Sequence, residues 1–269
     1  GESVQTVINV RGEASESEDF LFFTTRYGKV KKTPVSDFSN IRTHGLKAIT
    51  LNDDDELINV MITDGTENLL IGTHGGYAVS FNADAVRSMG RSAAGVRGIT
   101  LRDDDFVIGA EILKDDASVL VITEKGYGKQ TPVDQYPIKG RGGKGIKTAQ
   151  ITEKNGPLAG LAVVDGSEDI MLTTNKGVMI RFTVDSVSET GRATQGVRVI
   201  RLDDDAIVAT FAKVEHEEDT PELAEDAAET ADDATPVVND TELPAAPVDG
   251  EQPAEVAELL ARAEDDSEE

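Results

Sequence analysis

GYGKQTPVDQYPIKGRGGKGIK, the stretch from Gly126 to Lys147, holds two glycine signals nineteen residues apart. Gly126 follows the apolar run Val119 to Thr123 and sits at the second central position of a tight turn, where a primed hairpin needs positive φ. Gly145 closes a loop of small residues that carries Lys139, Arg141 and Lys144 and is followed by Lys147. Both signals recur along the chain. Gly28, Gly76, Gly126 and Gly177 are 48, 50 and 51 residues apart, and Gly45, Gly95, Gly145 and Gly196 are 50, 50 and 51 apart. Two glycine series locked to one period of about fifty residues define a repeat architecture.

Each unit reads alike. A short apolar run (Phe20 to Thr24, Asn68 to Gly72, Val119 to Thr123, Ile170 to Thr174) reaches the hairpin glycine, and a second strand follows, such as Tyr77 to Phe81 or Val178 to Phe182. A polar segment with capping residues comes next, then the basic glycine loop, a third strand, an acidic turn, and a fourth strand such as Phe106 to Leu113. Four short strands per fifty residues give an all-β, propeller-type blade. The expected divisions are 1–19, the end of a preceding unit; blades 20–67, 68–117, 118–167 and 168–214; and a tail 215–269, rich in Glu, Asp, Ala and Pro, expected to be disordered.

The 269 residues carry 26 Lys and Arg against 51 Asp and Glu, a net charge of -25. That balance would argue against a polyanion binder were it uniform. It is not, because the tail alone holds 21 acids and one base, Arg262. Within the repeats the charge is sorted by position. Arg26 to Lys47 has six bases and one acid, Arg87 to Arg102 four and none, Lys125 to Lys147 six and one, and Lys176 to Arg201 five and two. A base stands two residues after every loop glycine: Lys47, Arg97, Lys147 and Arg198. Stacked units therefore present one basic edge and one acidic edge, and local potential governs an anionic partner more than net charge does.

Other chemistries are disfavoured. The chain has no cysteine, so disulfides and thiolate sites are excluded. Neither a signal-type start nor an apolar run of eighteen is present, which gives the expectation of a soluble, cytoplasmic protein. The triplets Asp53 to Asp55, Asp103 to Asp105 and Asp203 to Asp205 lack the spacing of an EF-hand and read as exposed turns. Gly126 to Thr131 lacks the Ser or Thr that directly follows the lysine of a phosphate-binding P-loop. His44, His74 and His216 form neither a metal spacing nor a triad.

With these motifs in view, YGKVKKT (27–33), RSMGRSAAGVRGI (87–99), EKGYGK (124–129) and GRATQGV (191–197) resemble the C-terminal domain of the DNA gyrase A subunit over essentially all of residues 1–214. The resemblance implies a β-pinwheel whose basic rim wraps duplex DNA. Six blades are usual in that family, and the first carries a Gln-Arg-Arg-Gly-Gly-Lys-Gly loop. The repeats here look like the third to sixth, with the end of the second before them. Gly140 to Gly145 is a degenerate copy of that loop, with glycine where its first arginine would stand. The implied partners are duplex DNA, the gyrase B subunit, plus the rest of the gyrase A subunit, with no membrane, in the bacterial cytoplasm at the nucleoid. No catalytic residue is expected in this chain. ATP and Mg²⁺ would be bound elsewhere in the enzyme.

The candidate DNA contacts are the column Lys47, Arg97, Lys147 and Arg198, the loop bases Arg42, Arg91, Arg141 and Arg192, and Lys139 and Lys144 in the third repeat. Lys31, Lys32, Lys129 and Arg181, on the strand after the hairpin, form a second set. The acidic tail is expected either to aid solubility or to compete with DNA for the rim. Competing readings are the A-type subunit of topoisomerase IV, a protein-interaction propeller, and an enzyme with a site in the central channel.

Overall fold

The structure, a computed structural model, describes residues 6–9, 16–40, 43–203 and 205–216. Most of segment 1–19, the candidate Arg42 and the tail beyond His216 lie outside the described residues.

The described chain is all-β. The first unit contributes β1 (Phe20–Thr25), β2 (Lys29–Pro34) and β3 (Leu57–Thr63). The second gives β4 (Asn68–Thr73), β5 (Tyr77–Asn82), β6 (Val96–Arg97) and β7 (Val107–Ile112). The third gives β8 (Ser118–Thr123), β9 (Tyr127–Pro132), β10 (Ile146–Lys147) and β11 (Leu158–Val164), and the fourth β12 (Glu168–Thr174), β13 (Met179–Thr183), β14 (Val197–Arg198) and β15 (Val208–Glu215). A single turn of 3₁₀ helix follows the second strand of each unit: Val35–Phe38, Ala83–Ala85, Val133–Gln135 and Val184–Ser186.

The four antiparallel sheets run β3-β1-β2-β6, β10-β5-β4-β7, β11-β8-β9-β14 and β13-β12-β15, forming four blades of a β-propeller. The sequence leads one to expect each unit to fill its own sheet; instead, the short third strand crosses over. Arg97 of β6 pairs with Lys29, Lys147 of β10 with Tyr77, and Arg198 of β14 with Tyr127, each in the blade of the preceding unit. The last sheet has three strands among the described residues. At the other edge β3, β7, β11 and β15 contact one another in turn, which makes them the inner strands. Across these strands Lys213 Nζ lies 3.6 Å from a Glu111 carboxylate oxygen and donates to the Val163 carbonyl at 2.8 Å.

Strand alternation builds the core between blades. On β4, Leu69 and Ile71 join the cluster shared with Phe22 and Val30, whereas Leu70 joins the next one with Val119, Val121 and Leu158. On β8, Val119 and Val121 face back and Leu120 and Ile122 face forward onto Ile170 and Leu172. Successive side chains of a strand point to opposite faces, so a blade apolar on both faces stacks on both neighbours. The core is aliphatic, with Phe22 and Phe81 its largest fully buried apolar side chains.

Candidate nucleic-acid interface

Strand exchange places the basic column. β6, β10 and β14 are the sheet edges opposite the inner strands, so Arg97, Lys147 and Arg198 occupy outer edges. Gly95 makes the exchange possible. Its φ is +85°, and a Cβ there would lie 2.5 Å from the Val30 carbonyl oxygen of the neighbouring blade. Gly145 (φ +70°) and Gly196 (φ +76°) approach Ala78 and Gly128 in the same way, with a Cβ at 2.7 and 2.6 Å from the carbonyl oxygens. Only glycine combines positive φ with so close a backbone approach.

The loops join into a continuous band. Thr50 donates from Oγ1 to the Ser92 carbonyl at 2.7 Å, Thr100 from its amide to Gly143 at 2.9 Å and from Oγ1 to Gly142 at 2.7 Å, and the Gln150 amide to Thr194 at 2.9 Å. Arginines reinforce the band. Arg141 donates to the carbonyls of Ala85 and Arg97, both at 3.0 Å, and Arg192 to that of Lys147 at 3.1 Å.

Within this band Lys47, Arg97, Lys139, Arg141, Lys144 and Arg198 are exposed, and Arg91, Lys147 and Arg192 are half-buried. Lys147 also donates to Gln150 Oε1 at 2.8 Å. Aromatic rings support neighbouring cations. The Arg102 guanidinium lies 3.4 Å from the Tyr77 ring centroid, and Arg198 lies 5.4 Å from that of Tyr127 while donating to its hydroxyl at 3.0 Å. Such stacking holds a planar cation in place while leaving its edge to other acceptors. Arg102 escapes a sequence reading because no base stands in register with it at Asn52, Thr152 or Asp203.

Three candidates of the second set are corrected. Lys31 and Lys129 are 0% and 1% exposed and Lys32 is 6% exposed, so none of them faces a ligand surface. Lys31 Nζ donates to the carbonyls of Ala48 and Arg91, Lys129 Nζ to Gly191 at 2.7 Å and Arg192 at 2.6 Å, and Lys32 Nζ to Ala83 at 2.9 Å. Burial pushes the Lys31 ammonium down to about 8, opposed by Asp37 and reinforced by Arg91. Burial and then Arg192 push Lys129 down to about 8 as well. Desolvation disfavours the charged form, and the carbonyls hold what charge remains. Arg181 is exposed but engaged: its Nε donates to Asp169 at 2.7 Å and Nη2 to the Glu215 carbonyl at 2.8 Å.

The acidic triplets lie in turns with Asp53, Asp54, Asp103, Asp104, Asp203 and Asp205 exposed, but the third aspartate of the first two is engaged. Asp55 turns inward and accepts from the amides of Tyr27 and Glu56, both at 3.0 Å. Asp105 accepts from Gly75 at 2.8 Å and Phe106 at 2.9 Å, so each brackets a hairpin turn. Among the described residues no group of three or more His, Asp and Glu is placed to hold a metal, and no helix is long and apolar enough to cross a membrane.

A family model described as DNA gyrase C-terminal domain, beta-propeller, matches residues 19–64, 67–114, 117–165 and 168–215, one segment per repeat. The DNA gyrase A subunit of Streptococcus pyogenes serotype M3 is 66% identical over 218 residues, which cover 81% of this chain and 26% of that protein. Its counterpart in Streptococcus pneumoniae serotype 4 is 65% identical over 213 residues, 79% of this chain and 26% of its own length. The chain thus spans about a quarter of the curated relatives it matches. Among solved structures, the C-terminal domain of DNA topoisomerase IV superposes with a TM-score of 0.73 at 28% identity, covering 83% of this chain and 70% of that one. A DNA gyrase A C-terminal domain gives a TM-score of 0.67 at 26% identity, covering 72% and 65%. Four matched repeats, one propeller fold and relatives two-thirds identical lead to one conclusion: the chain belongs to the DNA gyrase C-terminal domain family of beta-propellers.

Proposed function

We propose that this chain binds duplex DNA along its outer basic edge and bends it, without catalysing any step itself, as the wrapping element of a gyrase that introduces negative supercoils. The observation that carries the reading is the band of loops joined by Thr50, Thr100 and Gln150, which sets Arg97, Lys147 and Arg198 on successive outer strands. Bases spaced once per blade along a curved edge contact phosphates at intervals. A smooth bend of 40 to 90 degrees costs of order 1–6 kcal/mol, which such contacts offset. Contacts to phosphate carry little sequence information, so the binding is weakly sequence-specific.

In this reading the gyrase B subunit, together with the remainder of the gyrase A subunit, supplies strand cleavage and passage, with ATP and Mg²⁺ bound there, in the bacterial cytoplasm. Curated relatives that are gyrase A subunits at 66% identity favour gyrase over topoisomerase IV, whose domain shares the fold at 28%. The test is a duplex-DNA titration across salt, together with the linking-number distribution of circular DNA relaxed in the presence of the chain. Neutralising about eight phosphates gives a log-log salt slope near -7. A shifted linking-number distribution supports wrapping; an unshifted one reduces the function to binding, and no salt-dependent binding removes the reading.

A further inference from the structure

We propose that Lys31 and Lys129 are positioning residues for the basic edge: each passes its ammonium through the interior and ties a rim loop down by main-chain carbonyls, so that the exposed bases above stand at fixed spacing. The consequence for DNA rests on the function proposed above; the tethering itself does not.

The two lysines are equivalent. Each stands three residues after a hairpin glycine, Gly28 or Gly126. Their acceptors are equivalent too, since Arg91 lies four residues before Gly95, and Gly191 and Arg192 five and four before Gly196. Lys31 also reaches the Ala48 carbonyl and so joins two loops. A charged side chain this deeply buried requires partners, and here those partners belong to the loops.

The second repeat shows what happens without the lysine. Its counterpart is Val79, and beneath the third-repeat loop lies a cavity of ≈ 180 Å³ lined by Val79, Ser80, Gly140, Gly143, Lys144 and Gly145, among others. The carbonyls of Gly140 and Arg141, in register with those that Lys129 holds, accept no hydrogen bond among the described residues. That loop keeps the ties that the Lys129-held loop also has, Arg141 to Arg97 matching Arg192 to Lys147 and the Lys139 amide to Ser80 matching the Thr190 amide to Gln130, and adds one from Arg141 to Ala85 at 3.0 Å. The lysine is therefore an additional fastening, which the loops after Lys31 and Lys129 have and the loop after Val79 lacks.

Charge gives the lysine tether a pH signature. Asp37 and Arg91 act on Lys31, which lies 5.1 Å from the Phe23 ring centroid, and Arg192 acts on Lys129. The docked lysine is held at about 8 against 10.5 when free, so the folded state binds fewer protons than the unfolded one between those values. Stability from this group consequently rises with pH across that window.

The test uses Lys129→Met and, as gain of function, Val79→Lys in the same chain. In Lys129→Met, amide exchange in residues 188–198 is expected to accelerate at least tenfold with residues 137–147 unchanged. DNA affinity should fall several-fold at an unaltered salt slope, because no phosphate contact is lost. The advantage of wild type over this variant in thermal midpoint should grow from pH 8 toward pH 10.5, whereas a packing role gives a constant difference. Val79→Lys should slow exchange in residues 137–147 as its ammonium reaches the Gly140 and Arg141 carbonyls. Unchanged loop exchange in Lys129→Met, a salt slope shallower by about one, or faster exchange in Val79→Lys would each overturn the tether. Should wild type fail to bind DNA, the proposed function falls while the exchange and pH measurements still decide the tether.

Discussion

Arg141 donates from Nη1 to the carbonyl oxygen of Arg97 at 3.0 Å, so a base of the third repeat fixes the backbone that carries a base of the second. Arg192 does the same for Lys147 at 3.1 Å. These bases are thus mechanically linked, and substitutions along the edge should not act independently.

Arg97→Ala should weaken DNA binding and reduce the salt slope by about one, the signature of a single phosphate contact. Arg141→Ala should weaken binding by more, since it releases the Arg97 segment as well. In a double-mutant cycle the combined loss should be smaller than the sum by about 0.5–3 kcal/mol. Strict additivity would show that the Arg141–Arg97 bond has no bearing on binding.

Replacing Lys47, Arg97, Lys147 and Arg198 together by alanine should lower the magnitude of the salt slope by about 3.6, at 0.9 per phosphate. Titrations at four or more salt concentrations measure it. A slope unaffected by the quadruple substitution would move the contact surface away from this edge.

Two loop glycines separate conformational strain from steric approach. Gly45 has φ +72° with nothing within 4 Å of where a methyl group would stand, whereas Gly95 has φ +85° and the Val30 carbonyl oxygen at 2.5 Å. Gly45→Ala should therefore cost about 1 kcal/mol, from backbone strain alone. Gly95→Ala should cost roughly 2 kcal/mol or more, because the exchanged strand must also shift. At about 2–4 °C per kcal/mol for a domain of this size, thermal unfolding distinguishes the two.

Acid should loosen the last blade. The hydrogen bond from His216, followed by that from Arg181, holds the Asp169 carboxyl below the usual carboxylate range against the opposing effect of burial. Its folded value is thus below the unfolded 3.8, and the stability it contributes is present above that value and is lost as pH falls through the folded one. His216→Ala should move the acid-unfolding midpoint to higher pH, read by circular dichroism. An unmoved midpoint would remove Asp169 as the acid-sensitive group.

Truncation requires a specific boundary. β15 extends to Glu215, whose carbonyl accepts from Arg181, and His216 Nδ1 lies 2.9 Å from Asp169. A cut after Val214 would destabilise the last blade, so deletion of residues 219–269 is the clean experiment. If the tail's negative charge competes for the basic edge, that deletion should tighten DNA binding at low salt, with the difference vanishing at high salt. Equal affinity would leave the tail a role in solubility alone.

Much of the edge is legible in the sequence. The two glycine series and the column Lys47, Arg97, Lys147, Arg198 share one period, and a period survives whatever the chain does in space. Lys31 and Lys129 read wrongly as DNA contacts because a lysine on a short strand beside basic neighbours has the pattern of a solvated face. Their acceptors, Arg91, Gly191 and Arg192, lie some sixty residues on and carry no sequence mark, since any residue offers a carbonyl. Arg102 stays hidden for the opposite reason: its partner Tyr77 is recognisable, but nothing in register announces the pair.

The sequence alone determined the repeat, the strand-turn-strand content of each unit and the side of the unit on which positive charge accumulates, because turn chemistry and alternation are local properties. Only the tertiary structure decided that the short third strands of the second, third and fourth units join the preceding blade, that the loops bond into one band, and that three of the lysines belong to the interior. Those outcomes depend on which backbone groups meet across fifty or more residues, and backbone donors and acceptors are the same in every residue but proline.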